Sequence, residues 1–372
     1  MSFDSAPESS ILEIHLFGVG NVGGSLLDQI HRQQPILRRR GLDLRVCTLG
    51  GSRRMLTSDP QSDQGLDLKN WRSELQASSI PSDFEGTLQR AQAHRTKTSV
   101  LVDCSTSPVL ATRYADAFRH HLHVVTSNKR TNSGPRADYD EVRTAARRHG
   151  QRFLYETNVG AGLPVIDTLQ NLVATGDRCL RFEGILSGSL SFILGLLESG
   201  IPFSQAVRQA LDAGYTESDP REDLSGLDAA RKLVILAREM GHALDLEELP
   251  VQGLLPSGFD ASGSLPEFLT RLENLDEDFA QRIAKLDGQR LRYVATWTPT
   301  EAQVSPRAVD PNHPLAAIRS AENALCFHTE RYQPHPLIIR GYGAGAQVTA
   351  AGVLSDILRL AAPSLSLRAG AA

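Results

Sequence analysis

Cysteine is scarce in this chain: Cys47, Cys104, Cys179 and Cys326 are the full complement, far apart and without a CxxC pair. That usage excludes a disulfide scaffold and a dithiol or zinc motif, and suits reduced, mostly buried side chains in an intracellular protein. Long apolar runs are missing too; no stretch approaches the roughly 20 residues needed to span a bilayer. Neither sign of charge dominates, the formal net charge being -4. Nothing therefore favours nucleic acid or an anionic membrane as a partner. Residues 1–10 are polar and acidic, without the basic start and apolar core of a secretion signal, so a cytoplasmic location is expected. Internal repeats and low-complexity runs are absent.

What the chain has is length and pattern. Its 372 residues exceed one ordinary core and point to two domains. The first part reads as strand over Ile11–Phe17, helix over Asn21–Arg32 and strand over Leu44–Leu49. Short apolar strands follow over Ser99–Cys104 and His123–Thr126, with a helix over Val109–His120 between them. Continuous apolar strands alternating with helices predict a parallel, doubly wound α/β sheet covered on both faces. After Gly150 the pattern changes. Arg178–Leu186 alternates, with Leu180, Phe182 and Leu186 on one side and Arg181 and Glu183 on the other, as in a strand with one packed face. Helices are expected over Phe203–Ala213, with Ser204 as N-cap, and over Gly226–Met240. Strands are expected over Leu291–Trp297 and near Val304 and Cys326. The helical stretch Pro266–Lys285 reads as mostly solvated. The end, with Ile338, Ile339 and a helix over Val348–Leu360, is expected to return to the first domain. The expected division is 10–153 with 336–372 as a Rossmann-like nucleotide-binding domain, and 154–335 as an α+β domain.

Gly18-Val19-Gly20-Asn21-Val22-Gly23 is a GxGxxG spacing between a strand and a helix. Gly18 permits the tight turn, Gly20 lets backbone approach a pyrophosphate, and Gly23 allows close helix–strand packing. Amides at the helix start then attract the phosphates. Glycine fingerprints alone are weak, and the strand before and helix after strengthen this one. The second strand runs into Thr48-Leu49-Gly50-Gly51-Ser52-Arg53-Arg54, with no carboxylate for a ribose 2′-hydroxyl and with Arg53 placed for a 2′-phosphate. NADP(H) is thus favoured over NAD(H), although a solvated basic loop is also compatible. Lys129 follows the strand ending at Thr126, where ligands meet such sheets; a surface lysine would fit there as well. In the stretch Gly214 to Lys232, four acids precede a helix on which Asp228 and Lys232 share a face. Asp223 as a cap and Asp228–Lys232 as a helix ion pair would account for it structurally. A cluster that holds an ammonium and supplies a proton-transferring lysine would account for it functionally.

These residues, with Tyr155-Glu156-Thr157-Asn158-Val159-Gly160-Ala161-Gly162-Leu163, Gly184 to Ile193 and Gly341 to Gly345, resemble homoserine dehydrogenases. The resemblance is strongest to the dehydrogenase half of the bifunctional aspartokinase–homoserine dehydrogenases and runs from Ile14 to about Leu360. It implies reduction of L-aspartate 4-semialdehyde to L-homoserine by NADPH, in threonine, methionine and isoleucine biosynthesis. It makes Lys232 the proton-transfer lysine and places Lys129 near nicotinamide and substrate. Glu217, Asp228 and Asp223 become substrate-binding acids. Ser105, Thr106, Gly214 and Gly345 become cofactor contacts beside Gly18 to Gly23. Glu156 with Val159, Ala161 and Leu163 becomes a monovalent-cation loop, sodium being the family's ion. A homodimer through the second domain's sheet is also implied.

Two departures stand out. Where relatives often carry two lysines, Lys129 is followed by Arg130. The tail Pro363–Ala372 is too short for an amino-acid-sensing domain, so direct threonine inhibition is not expected. Two other readings stay open at this level: another NADP-dependent oxidoreductase of an amino-acid intermediate, or a dinucleotide sensor without turnover.

Overall fold

The computed structural model describes residues 10–59, 62, 64–93, 98–320 and 322–361. The N-terminal segment and the tail discussed above lie outside them, apart from Ser10. Two compact units share the chain: the first runs to Asn158 and resumes at Gly345, and the second spans Val159–Ala344.

In the first unit, β1 (Ser10–Phe17) sends Leu12, Ile14 and Leu16 to one face of a sheet and Phe17 to the other. The neighbouring strands are β2 (Leu42–Gly50), β3 (Met55–Thr57), β4 (Thr98–Asp103), β5 (His123–Thr126) and β6 (Phe153–Leu154). Their order is β3-β2-β1-β4-β5-β6, parallel throughout except for β3, which turns back antiparallel on β2. This is the order of a doubly wound dinucleotide-binding sheet. Alternation along β4 explains the two covered faces. Val100 and Val102 pack under the helix Asn21–Arg39 and the final helix Ala346–Leu360, while Leu101 packs against Tyr114, Phe118 and Val142 of the opposite layer. The first helix runs beyond the expected Arg32 and through Pro35, its last turn held by buried Leu37. The stretch Val109–His120 divides at Arg113 into helices Pro108–Ala111 and Tyr114–Arg119.

The second unit is built on an antiparallel sheet of β7 (Cys179–Ile185), β8 (Arg290–Trp297), β9 (Ala302–Val309), β10 (Glu322–Thr329) and β11 (Leu337–Tyr342), ordered β11-β10-β7-β8-β9. Five expectations need correction here. Ile338 and Ile339 do not return to the nucleotide domain; they form edge strand β11, with Ile338 43% exposed. Adjacent β-branched residues read alike in a buried strand and in an edge strand. Glu183 is buried rather than solvated, because Leu315, Ala316 and Ile318 cover that face of the sheet, and it pairs with Arg181 and His313. Leu180, expected on the packed side, is 36% exposed. Ser204 is not the N-cap of the helix Phe203–Asp212: its amide and hydroxyl donate to Asp276, at 2.7 and 2.8 Å, so the cap comes from a distant carboxylate. The stretch Pro266–Lys285 breaks into helices Leu265–Arg271 and Asp276–Ala284 and buries Phe268, Leu272, Leu275 and Phe279, the last stacked on Phe203.

All four cysteines are free thiols. No helix among the described residues is long and apolar enough to cross a membrane.

Candidate functional site

The glycine turn behaves as two kinds of position. Gly18 has φ +91°, and a Cβ there would stand 2.4 Å from the Ser105 amide nitrogen; a Cβ on Gly23 would stand 2.0 Å from the Gly18 carbonyl oxygen. Both exclude a side chain through contacts inside the fold. Gly20 differs, since a Cβ there meets nothing within 4 Å. Internal packing does not demand glycine at 20, which fits the position where backbone must come close to a phosphate. Gly20 is also the N-cap of the helix Asn21–Arg39, which has no side-chain cap and no acid in its first turn. An uncapped, acid-free helix start is suited to an anion. These residues therefore fit a dinucleotide's pyrophosphate.

Beyond β2, the two arginines divide. Arg54 donates to the Gln76 carbonyl. Arg53 is exposed, and among the described residues its guanidinium makes no hydrogen bond or ion pair.

The carboxyl ends of β4 and β5 are tied together by Asp103, which is fully buried. Its Oδ1 accepts from the Ser105 amide (2.8 Å) and hydroxyl (2.6 Å), and its Oδ2 accepts from Tyr114 (2.6 Å) and Asn128 Nδ2 (3.2 Å). Burial raises the Asp103 pKa despite these four donors. The bonds order the Ser105-Thr106 loop against the turn that carries Lys129. Arg130 adds a bond from Nε to the Thr106 carbonyl, 3.2 Å. Lys129 is half-buried at the start of the short helix Arg130–Ser133.

The loop expected to hold a cation begins with Glu156, 6% exposed, in a 3-10 turn Glu156–Asn158 whose first amide donates to Asp356 at 2.9 Å. The boundary between the units follows Asn158. Val159 and Ala161 are buried, Leu163 is half-buried, and Gly160 and Ala161 are both left-handed, φ +77° and +54°. The Leu163 carbonyl already accepts the Val165 amide at 2.9 Å. Hard cations are bound by carboxylate and backbone oxygens on irregular turns of this sort. No group of three or more His, Cys, Asp or Glu poised for a metal occurs among the described residues.

In the second unit, Lys232 lies on the helix Leu227–Glu239 and is 7% exposed. Its Nζ donates to the Leu186 carbonyl at 2.6 Å and pairs with Asp228 Oδ2 at 2.8 Å. Leu186 directly follows β7, and Ser187 caps the next helix, Gly188–Glu198. The Ser187 and Ser189 hydroxyls lie 3.0 Å apart. Ser189 bonds to Asp223, whose Oδ2 also accepts the Glu217 amide at 3.0 Å. Burial, with Asp228 and Glu222 as nearby negative charges, raises the Asp223 pKa. Asp223 is not a cap; Asp219 caps the helix Pro220–Ser225. Gly214 has φ +71° just past the end of the helix Phe203–Asp212, so glycine has a local reason there. Gly345 has φ +118° and opens the final helix.

Thus Glu217, Asp223, Asp228 and Lys232 belong to one unit, and Gly18 to Gly23, Arg53, Ser105, Thr106 and Lys129 to the other. The sequence reading missed Asp103, Asn128, Ser187 and the Leu186 carbonyl. Ser187 had a signal, a serine opening an apolar helix; the Leu186 carbonyl had none.

Against known families, residues 18–156 match the profile "Homoserine dehydrogenase, NAD binding domain", and residues 164–358 match "Homoserine dehydrogenase". The chain belongs to the homoserine dehydrogenase family. It is 48% identical over 351 residues to a bifunctional aspartokinase/homoserine dehydrogenase of Haemophilus influenzae, a match covering 94% of this chain and 43% of that protein. The chain thus spans less than half the length of such curated relatives. Among solved structures, a Candida auris protein of unknown function is 32% identical with a TM-score of 0.87, covering 95% of this chain and 99% of its own. A hyperthermophilic archaeal homoserine dehydrogenase in complex with NADPH is 24% identical with a TM-score of 0.73, covering 95% and 98%, and that likeness speaks to the fold.

Proposed function

We propose that this protein interconverts L-aspartate 4-semialdehyde and L-homoserine with NADP(H), as its family membership and the cluster around Lys232 support. The single observation that carries the reading is a buried ammonium held by one carboxylate and one carbonyl, in the domain that matches the family profile.

The glycine turn and the helix start at Asn21 hold the cofactor's pyrophosphate, and Arg53 selects the 2′-phosphate. When bound, the reduced nicotinamide supplies the hydride that adds to the aldehyde carbon. Charge then develops on the carbonyl oxygen, and Lys232 stabilises it and delivers the proton. Lys129 adds positive charge. Glu217, Asp223 and Asp228 orient the α-ammonium end, so that binding energy is spent on alignment. Ser105, Thr106, Gly214 and Gly345 contact the cofactor. Glu156 with the carbonyls of Val159, Ala161 and Leu163 holds a monovalent cation, sodium in this reading. The working form is a homodimer through the antiparallel sheet, in the cytoplasm.

The test is a spectrophotometric assay of purified protein with L-homoserine and either oxidised cofactor. Reduced nicotinamide should appear faster with NADP than with NAD. Absence of turnover with both, in protein shown to bind NADPH, would overturn the proposal.

A further inference from the structure

Beneath Lys129 lies a row of buried amides to which the reading above gives no role. Asn132 and Asn158 are both fully buried. Arg143 Nη1 donates to Asn132 Oδ1 at 3.1 Å, Asn132 Nδ2 donates to Asn158 Oδ1 at 2.8 Å, and Asn158 Nδ2 donates to the Thr126 carbonyl at 3.0 Å. The direction of this relay is set at its origin. A guanidinium can only donate, so Asn132 must turn its oxygen to Arg143 and its nitrogen to Asn158. Asn158 must then present its own nitrogen to Thr126. Arg143 is itself anchored, 3.4 Å over the Tyr139 ring and 2.6 Å from the Tyr155 hydroxyl.

The relay ends on the elements that carry two site residues. Thr126 closes β5, three residues before Lys129, and the Asn132 amide donates to the Lys129 carbonyl at 3.1 Å. Asn158 closes the 3-10 turn that opens with Glu156. From the other side, Asn128 Nδ2 holds the same segment to Asp103 Oδ2 and to the Ser107 carbonyl, at 3.2 and 2.9 Å. The Lys129 turn is therefore gripped from both flanks, and one grip is shared with the Glu156 turn.

We propose that Asn132 and Asn158 are positioning residues, which set the Lys129 turn for hydride transfer and couple it mechanically to the Glu156 turn. The proposal rests on the role given to Lys129 above. Low-dielectric surroundings strengthen such a chain of amides and make each link matter to the next.

Two near-isosteric variants break different links. Asn132→Asp still accepts from Arg143 but has no N–H for Asn158. Asn158→Asp still accepts from Asn132 but has no N–H for the Thr126 carbonyl. Each full-length variant is compared with wild type by hydrogen–deuterium exchange over residues 127–133, by NADPH binding through fluorescence, and by steady-state kinetics. Exchange in that segment should quicken about tenfold, and kcat should fall about 10- to 100-fold, the scale of a small misplacement of a reacting group. The KM for aspartate semialdehyde and the Kd for NADPH should stay within about threefold, since binding groups are untouched. Unchanged exchange in whichever variants fold overturns the proposal, as does quickened exchange with wild-type kcat. Wild-type protein without turnover would instead remove the functional reading, while the exchange comparison still decides whether the amides hold the turn.

Discussion

Lys232 and Asp228 stand one helical turn apart, Nζ 2.8 Å from Oδ2, yet only one of them is in water: the lysine side chain is 9% exposed and the aspartate 45%. Exposed helix ion pairs contribute little. Here the cation is buried, and taking a charge out of water is costly. Asp228 and the Leu186 carbonyl together hold it in place. In the proposed reaction this buried ammonium acts on the negative charge that develops on the carbonyl oxygen.

The glycine turn separates a folding requirement from a binding one. Gly23→Ala puts a methyl 2.0 Å from a backbone oxygen, and forced overpacking of that kind costs about 1–3 kcal/mol. Thermal melting should show the loss directly. Gly20→Ala meets nothing in the fold and should melt like wild type, yet raise the NADPH Kd about tenfold by blocking close backbone approach. Equal effects of the two variants on melting would refute the distinction.

In the proposed function Arg53 carries the cofactor preference. Arg53→Ala should raise the KM for NADPH about 10- to 100-fold, the worth of one charge-assisted pair to phosphate, and leave NADH kinetics nearly unchanged. Parallel steady-state series with both cofactors check this. A preference that survives the substitution would assign the exposed guanidinium to solvent.

Asp223 gives a pH signature. Burial raises its pKa in the folded protein above the ordinary aspartate value, so the folded state binds this proton more tightly than the unfolded chain. Stability from this group is greatest below the ordinary value, falls as pH climbs through the raised one, and stays reduced above it. Asp223→Asn keeps an oxygen for the Glu217 amide and removes the charge. Its melting temperature relative to wild type should therefore rise across that window and then level off, while the KM for aspartate semialdehyde increases about tenfold or more for the loss of a charged contact. A difference that shrinks with rising pH would show the sign to be wrong.

Much of the first unit was legible because its signals are local. A strand, a glycine spacing and an apolar helix follow one another within 32 residues, Ile11 to Leu42, and alternation along β4 reveals two covered faces. The second unit was less legible because its determinants are distant. Asp276 caps a helix 72 residues earlier through Ser204, and the cover over Glu183 comes from Leu315 to Ile318. The site shows the same division. Asp228 and Lys232 were visible as an i, i+4 pair. The Leu186 carbonyl that accepts from Lys232 is backbone and leaves no mark in composition. The Asn132–Asn158 contact joins residues 26 apart whose types alone suggest only turns.

The most direct measurement is single-turnover oxidation of bound NADPH by aspartate semialdehyde in wild type and Lys232→Ala, with NADPH affinity measured on the same samples. The alanine variant should fold, since its former partner Asp228 already reaches solvent, and should bind NADPH within about threefold of wild type. Its rate should drop by about a thousandfold, as befits loss of both the proton donor and the charge facing the oxygen. A variant that transfers hydride within about tenfold of the wild-type rate would contradict the account, because a group worth that little does not stabilise the transition state as proposed.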